Sequence, residues 1–168
     1  MFFRNFPRRN YVIDGASIET ADIFRRVHPI SKFVDSTLLE FYELKDGERP
    51  EHVSFELYKN VEFYWTILLI NDVIDPYHDW LMSAEDLRNF VIQKYGSQSR
   101  LDDPHHYVYA DTSIRVDYDH TRVTGGQIVP VTNYEHEIAE NEKKRNIYVL
   151  SQNHVNEFAA QFRTLIRE

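Results

Sequence analysis

The stretch VEFYWTILLI, residues 61–70, constrains the fold more than any other part of the chain. As a helix it would place apolar side chains, Trp65 and Ile67 among them, on more than one face. Such a helix is stable in water only when other elements surround it. Because an aromatic run at helical spacing is more often packing than ligand recognition, the stretch predicts a core helix and not a binding site.

The residues before this stretch predict a strand, a turn and a short helix. LLEFYEL from Leu38 is apolar and β-prone, and KDGERP follows it. Asp46 and Gly47 are expected to form a tight turn in which Gly47 takes a positive φ. Pro50 suits the first turn of a short helix that ends near Lys59.

The core helix itself is bounded by two asparagines. Asn60 can cap its start, and Asn71 follows its last apolar residue. Trp80 lies a little further on, in DPYHDW, and we assign it with Trp65 and Asn71 to the core and its turns.

Two later helices carry capping signals. In SAEDLRNFVIQKYG, Ser83 and Asp86 are predicted to form a capping box at the start of a helix, and Gly96 supplies the left-handed position that ends it. Thr132 and Glu135 predict a second box, opening a polar helix whose charges face water.

Alternating segments between and after these helices predict strands. HHYVYADTSIRVDYDH alternates well enough for a hairpin, TRVTGGQIVPV turns again at Gly125 and Gly126, and NIYVL is a further strand. A small antiparallel sheet is expected.

The two ends of the chain are predicted to contact other proteins. Residues 1–37 show no sustained period and are interpreted as an extended aromatic arm, with a turn at Asp14 and Gly15. Residues 152–167 are predicted to form a strongly amphipathic helix that serves as an assembly element and not as part of the core; the alternative is that it packs back on its own chain. The interface candidates are Phe2, Phe3, Phe6, Val155, Phe158, Phe162, Leu165 and Ile166.

Together these elements predict an α+β fold. Residues 1–37 would be the arm, 38–96 the core, and 97–168 a β-hairpin region with the terminal helix.

Charge and composition exclude several classes of function. A net charge of −8 repels a phosphate backbone, so nucleic-acid binding is not expected. The absence of cysteine excludes disulfides and thiol chemistry. No run reaches the length of a membrane span and the basic start is too interrupted for a signal peptide, which predicts a soluble, unsecreted chain.

Candidate chemistry is weak. Asp75, His78 and Asp79 could hold a divalent metal, but a polar turn around Pro76 is the favoured interpretation. His105 and His106 are adjacent, so on a regular strand they would point to opposite faces and could not share an ion. We therefore predict no catalytic, metal or cofactor residue, and no small-molecule substrate.

The segment YELKDGERPEHVSFELYKNVEFYWTILLIND resembles the opening βα-α part of a LysM domain. The second strand of that pattern should follow Asn71 closely, but its Gly-Gln and terminal Pro are found only in GGQIVPV at residues 125–131, so the pattern is either broken or interrupted by an insertion. The matching positions are Tyr42, Leu44, Asp46, Gly47, Val53, Leu57, Leu68 and Asn71.

A second resemblance covers nearly the whole chain. FFRNFP, DIFRRV, DPYHDWLMSAEDLRNFVIQKYG and VTNYEHEIAENEKKRNIYVL, in that order, resemble the LysM-like baseplate wedge proteins of T-even-type contractile-tailed phages. The resemblance implies a non-enzymatic virion protein, made in the host cytoplasm, that joins neighbouring wedge proteins around the tail hub. The alternatives are a LysM module that binds peptidoglycan or N-acetylglucosamine polymers, and a cell-wall hydrolase accessory.

Overall fold

The computed structural model describes residues 6–22 and 38–167. Contacts divide the chain into two compact units: unit 1 comprises residues 1–44, 48–79 and 146–168, and unit 2 comprises residues 45–47 and 80–145. This grouping differs from the predicted division after residues 37 and 96, because the chain returns to unit 1 at residue 146.

The described residues form a mixed α+β structure with small antiparallel sheets and six α-helices. Short 3₁₀ helices at Val61–Phe63 and Gln98–Arg100 accompany them. In chain order the elements are β1 (Arg8–Ile13), β2 (Ala16–Ala21), β3 (Leu39–Glu43), α1 (Pro50–Tyr58), α2 (Tyr64–Ile70), α3 (Ala84–Tyr95), β4 (Pro104–Tyr109), β5 (Arg115–Val116), α4 (His120–Thr124), β6 (Ile128–Thr132), α5 (Asn133–Glu142), β7 (Asn146–Leu150) and α6 (Val155–Leu165).

Unit 1 begins with a β-hairpin. β1 and β2 pair antiparallel, and Asp14 and Gly15 connect them with φ of 52° and 79°. Two successive positive φ values are the geometry that Asp-Gly favours in a two-residue hairpin, so the predicted turn is confirmed. The predicted arm is thus a hairpin over residues 6–22, and its remaining residues, including Phe2 and Phe3, lie outside the described ranges.

The second sheet of unit 1 joins distant parts of the sequence. β3 pairs antiparallel with β7, with Phe41 opposite Tyr148. Ile147 and Val149 of β7 are buried, whereas Phe41 and Tyr148 are exposed on the opposite face. The chain therefore runs strand, helix, helix and, after residues 71–145, a strand that returns to pair with the first.

The core helix predicted at residues 61–70 is confirmed with one change. It begins as a 3₁₀ turn, where Asn60 accepts a 2.9 Å hydrogen bond from the Glu62 amide, and becomes α2 at Tyr64. Trp65 and Ile67 are buried, as expected for a core helix. Val61, at its start, is exposed, so the apolar stretch is not surrounded along its whole length.

The terminal helix α6 packs on its own unit, which is the alternative that the sequence left open. The ring of Trp65 lies 6.0 Å from that of Phe158 and 4.7 Å from that of Phe162, between centroids. Four of the five apolar residues that the terminal segment contributes to the interface candidates are thus at most 4% exposed within the chain: Val155, Phe158, Phe162 and Ile166. Their placement at a partner interface is corrected, because an amphipathic helix buries its apolar face against the nearest apolar surface.

Unit 2 combines a three-stranded sheet with three α-helices, α3, α4 and α5. The strand order is β5-β4-β6, and all neighbours are antiparallel. The predicted capping box at Thr132 and Glu135 is confirmed, because the two residues bond reciprocally. At the start of α3 only the cap is present: Ser83 accepts a hydrogen bond from the Asp86 amide. The core of this unit is a small apolar cluster made by Met82, Leu87, Val91 and Leu101.

The charges of helix α5 in unit 2 were expected to face water, but one polar face of this helix is buried. Asn133, Glu137 and Asn141, spaced four residues apart, are only 5–7% exposed. Each has a hydrogen-bond partner within unit 2: Asn133 donates to the Arg100 carbonyl, and Asn141 donates to the Met82 carbonyl. The buried face of α5 is therefore polar and hydrogen-bonded.

Candidate functional site

Most of the residues that the sequence assigned to partner contacts are buried within the chain or lie outside the described residues. Phe6 is buried, and Phe2 and Phe3 lie outside the described residues. Leu165 is 37% exposed and is the one member of the α6 stripe that remains open to a partner.

The residues assigned to turns and core are placed as follows. Gly47 has a φ of 70°, as expected, and Trp80 is buried. Asn71 caps α2 by donating a 2.8 Å hydrogen bond to the Ile67 carbonyl. Its side chain also bonds both backbone groups of Tyr148, accepting from the amide at 2.9 Å and donating to the carbonyl at 2.7 Å. Asn71 thus covers the outer edge of β7 at this residue.

An exposed aromatic pair lies on the β3–β7 sheet. Phe41 and Tyr148 are 64% and 55% exposed, and their rings meet edge to face at 6.4 Å. Because the backbone groups of Tyr148 point towards Asn71, its pair with Phe41 is of the non-hydrogen-bonded kind, and the Phe41 amide and carbonyl point away from β7. No described strand pairs with that outer edge of β3. Apolar surface and open backbone groups therefore coincide at Phe41.

The hairpin of unit 1 is a second exposed apolar surface. Ile13 and Ile18 lie on one face of it and Val12 on the other, and all three are exposed. A two-stranded hairpin has little stability alone in water. Here Arg9 and the buried Asp22 form a 2.8 Å ion pair that ties its two strands together.

The loop DPYHDW is organised by its own carboxylates. Asp75 accepts hydrogen bonds from the Tyr77 amide at 2.9 Å and from His78 at 2.6 Å, and Asp79 accepts from the Asp75 amide at 2.9 Å. The bond from His78, followed by that from Tyr77, lowers the pKa of Asp75. These contacts support the turn interpretation over the metal-binding one. The loop also exposes Ile74 and Tyr77.

Three histidines of unit 2 converge, which the sequence analysis did not expect. His105 and His106 face each other with 2.9 Å between their Nδ1 atoms, and the ring of His136 stacks on that of His105 at 3.9 Å. The expectation that the adjacent pair points to opposite faces is wrong. The pairing of β4 with β6 shifts register between Pro104 and His106, so the strand is irregular where the pair begins.

The chain matches a known protein family. The family model described as Base plate wedge protein 53 matches residues 1–118. The chain belongs to this family. Baseplate wedge protein gp53 of Enterobacteria phage T4 is 29% identical over 170 aligned residues, which cover 86% of this chain and 83% of that relative.

Membership in this family makes the chain a T4-like baseplate wedge protein and implies a location in the virion tail. Among the described residues, none of the helices is long and apolar enough to cross a membrane.

Sequence reasoning missed the surface that stands out most in this unit. Phe41 lies in a strand whose partner, β7, comes from the far end of the chain, so its exposed face could not be assigned without the pairing. The available signal was alternation: Ile147 and Val149 are apolar on one side of β7, which leaves Tyr148 on the other.

Proposed function

We propose that this chain is a non-catalytic subunit that joins neighbouring wedge proteins around the tail hub. The observation that carries the proposal is the exposed Phe41–Tyr148 pair on the β3–β7 sheet, in a chain whose family is named for the baseplate wedge. Two large exposed rings side by side are typical of the anchor residues of protein interfaces. The glycan-binding alternative is not favoured by either comparison.

The backbone of β3 supports the same surface. The outward-pointing amide and carbonyl of Phe41 can pair with an extended segment of a partner, while the ring fills a pocket on that partner. The hairpin with Val12, Ile13 and Ile18 offers a second contact, which suits a subunit that touches more than one neighbour.

We also propose that β3, α1, α2 and β7 form a LysM-like core. The support is the strand-helix-helix-strand order and the antiparallel pairing of its two strands. On this interpretation β7 replaces the predicted GGQIVPV segment as the second strand, because that segment pairs with β4 and not with β3, and residues 71–145 are an insertion. The LysM-like scaffold would serve protein contacts here.

The proposal is tested by wedge assembly from purified components of the same phage. In the variant Phe41→Ser/Tyr148→Ser we expect incorporation into wedges to fall by at least about tenfold, because burying each ring contributes roughly 1.5–3 kcal/mol. The variant should remain folded, since both side chains are already exposed.

The matched control is Tyr118→Ser, which removes a ring of similar exposure, 59%, from unit 2. It should enter wedges at the normal level. Normal incorporation of the double variant would contradict the assignment of the Phe41–Tyr148 surface to a wedge partner.

A further inference from the structure

We propose that His105, His106 and His136 form a binding site for one divalent transition-metal ion of the Zn²⁺ type. The ligand atoms available on the three rings all lie within 4.8 Å of one another. All three residues belong to unit 2, and the inference is independent of the wedge role proposed above.

The backbone explains how adjacent histidines can serve one ion. On a regular strand their side chains would point to opposite faces. The register of β4 against β6 shifts between Pro104 and His106, and the two rings meet at 5.2 Å between centroids. Bulges of this kind re-aim a side chain without ending the sheet.

Helix α5 supplies the third ring. The Thr132–Glu135 capping box fixes the start of this helix, and His136 is the next residue. The ring of His136 lies 3.9 Å from that of His105 and 5.6 Å from that of His106, between centroids. Two elements with independent hydrogen bonding thus hold the cluster together.

The spacing is close to that of a metal site. Zinc–nitrogen bonds of about 2.0–2.1 Å in tetrahedral geometry put ligand nitrogens roughly 3.3 Å apart. The Nδ1 atoms of His105 and His106, at 2.9 Å, already approach that separation. The rings of His105 and His136 are parallel within 8°, so binding requires a ring rotation that directs both nitrogens at the ion.

The chemistry of the cluster selects the class of metal. Three imidazoles and no carboxylate suit Zn²⁺, Ni²⁺ or Cu²⁺ and are poor ligands for Mg²⁺ or Ca²⁺. Burial, and then neighbouring positive charge, lower the pKa of His105 and His106. With three protein ligands, water completes a fourth position.

Two charged residues near the histidine cluster act on His105 in opposite directions. Arg115 on β5 pairs with Val108 of β4, two residues along the strand from His106, and its charge disfavours positive charge on His105 and His106. The same charge would weaken metal binding. Glu137 acts on His105 in the opposite direction, but its Oε1 accepts bonds from Lys94 and Tyr95 at 2.7 Å and 2.9 Å. We therefore count Glu137 as a nearby charge and not as a ligand.

The test is calorimetric titration of the full chain, without a histidine tag and after chelator treatment, with Zn²⁺, and with Mg²⁺ as the comparison ion. We expect one equivalent of Zn²⁺ to bind and no heat from Mg²⁺. Co²⁺ should give the visible absorption of a low-symmetry, nitrogen-ligated site. Absence of Zn²⁺ binding would overturn the proposal.

Variants locate the site. His106→Asn and His136→Asn should each weaken Zn²⁺ binding more than about tenfold, since losing even a supporting residue around a metal costs 10–100-fold. The matched control His120→Asn, an exposed histidine of the same unit, should bind as the natural chain does. Equal Zn²⁺ binding by all three variants would place the ion elsewhere and contradict the assignment.

Arg115→Gln gives a readout that mere structural damage cannot imitate. Removing this charge should strengthen Zn²⁺ binding, because the ion no longer meets a fixed positive neighbour. Circular dichroism of each variant, recorded without metal, checks that the fold is retained. Weaker binding by a folded Arg115→Gln protein would contradict the electrostatic description of the site.

Discussion

Helix α6 of unit 1 buries an apolar stripe, whereas helix α5 of unit 2 buries Asn133, Glu137 and Asn141. The α6 residues contact aromatic rings such as Trp65, and burying each contributes roughly 1.5–3 kcal/mol with little demand on direction. The α5 residues contribute through directed hydrogen bonds, each worth about 0.5–1.5 kcal/mol net but costly when one partner is lost. One helix is thus sensitive to lost volume and the other to lost hydrogen-bonding partners.

The largest effect is expected in the apolar helix. Phe158→Ala should reduce the free energy of unfolding by about 3–5 kcal/mol, because it opens a cavity beside Trp65. Urea unfolding measures it, with Leu165→Ala, at a half-exposed position of the same helix, as control; the control should cost far less. Equal losses in the two variants would mean that α6 is not held by its buried stripe.

A slightly smaller loss is expected when α5 gains apolar surface. Asn141 accepts a hydrogen bond from the Met82 amide and donates one to the Met82 carbonyl, both at 3.0 Å. Asn141→Leu leaves both groups buried without these bonds, which should cost about 2–4 kcal/mol despite the added apolar surface.

Ala139→Leu, at an exposed position of α5, is the matched control and should change the free energy of unfolding by less than about 0.5 kcal/mol. If Asn141→Leu were neutral or stabilising in the same urea series, the contrast between the two helices would fail.

Acid pH is expected to weaken the contacts of α5 more than those of α6. Burial alone would raise the pKa of Glu137, but hydrogen bonds from Lys94 and Tyr95 lower it overall. A folded-state pKa below the unfolded one gives stability that is present above the ordinary value of 4.5 and lost as pH falls through the folded value. The free energy of unfolding of the natural chain should therefore fall more steeply below that pH than that of Glu137→Gln.

The same substitution should cost about 1.5–3 kcal/mol at pH 7, because Lys94 and Tyr95 lose a charged acceptor. Glu85→Gln, at an exposed position of α3, is the control and should change the free energy of unfolding at pH 7 by less than the buried Glu137→Gln does. If the free energy of unfolding depended on acid pH identically in the natural chain and in Glu137→Gln, the Glu137 carboxylate would not be the cause of the acid dependence.

The smallest effect concerns the backbone, outside both helices. Gly47 has a φ of 70°, and a Cβ there would meet no atom within 4 Å. Gly47→Val should therefore cost only the conformational penalty, about 1–2 kcal/mol. Gly47→Asn should cost less, because asparagine tolerates this conformation. Thermal denaturation compares the two, and an unchanged melting temperature for Gly47→Val would contradict the turn.

The sequence predicted what local chemistry decides. Ser83, Thr132 and Asn60 act as caps because the side chain that satisfies the backbone lies within three residues of the group it satisfies. The Asp14–Gly15 turn follows from the same kind of short-range rule. The core position of Trp65 followed from the apolar character of its whole segment.

The sequence did not predict what long-range pairing decides. The exposed face of β3 depends on β7, which lies near the other end of the chain. The meeting of His105 with His106 depends on a register shift against β6, which no local pattern encodes. Asn141 and Glu137 belong to residue types that are usually exposed, so their burial was missed for want of the partners that satisfy them.

Photo-crosslinking in assembled baseplates tests the central claim, that the β3–β7 sheet of unit 1 faces a wedge partner. A photoreactive phenylalanine analogue is placed at position 41 or 148, and at position 118 of unit 2 for comparison. We expect positions 41 and 148 to crosslink to another wedge protein in high yield and position 118 not to do so. Crosslinks from position 118 alone, with none from positions 41 and 148, would contradict it.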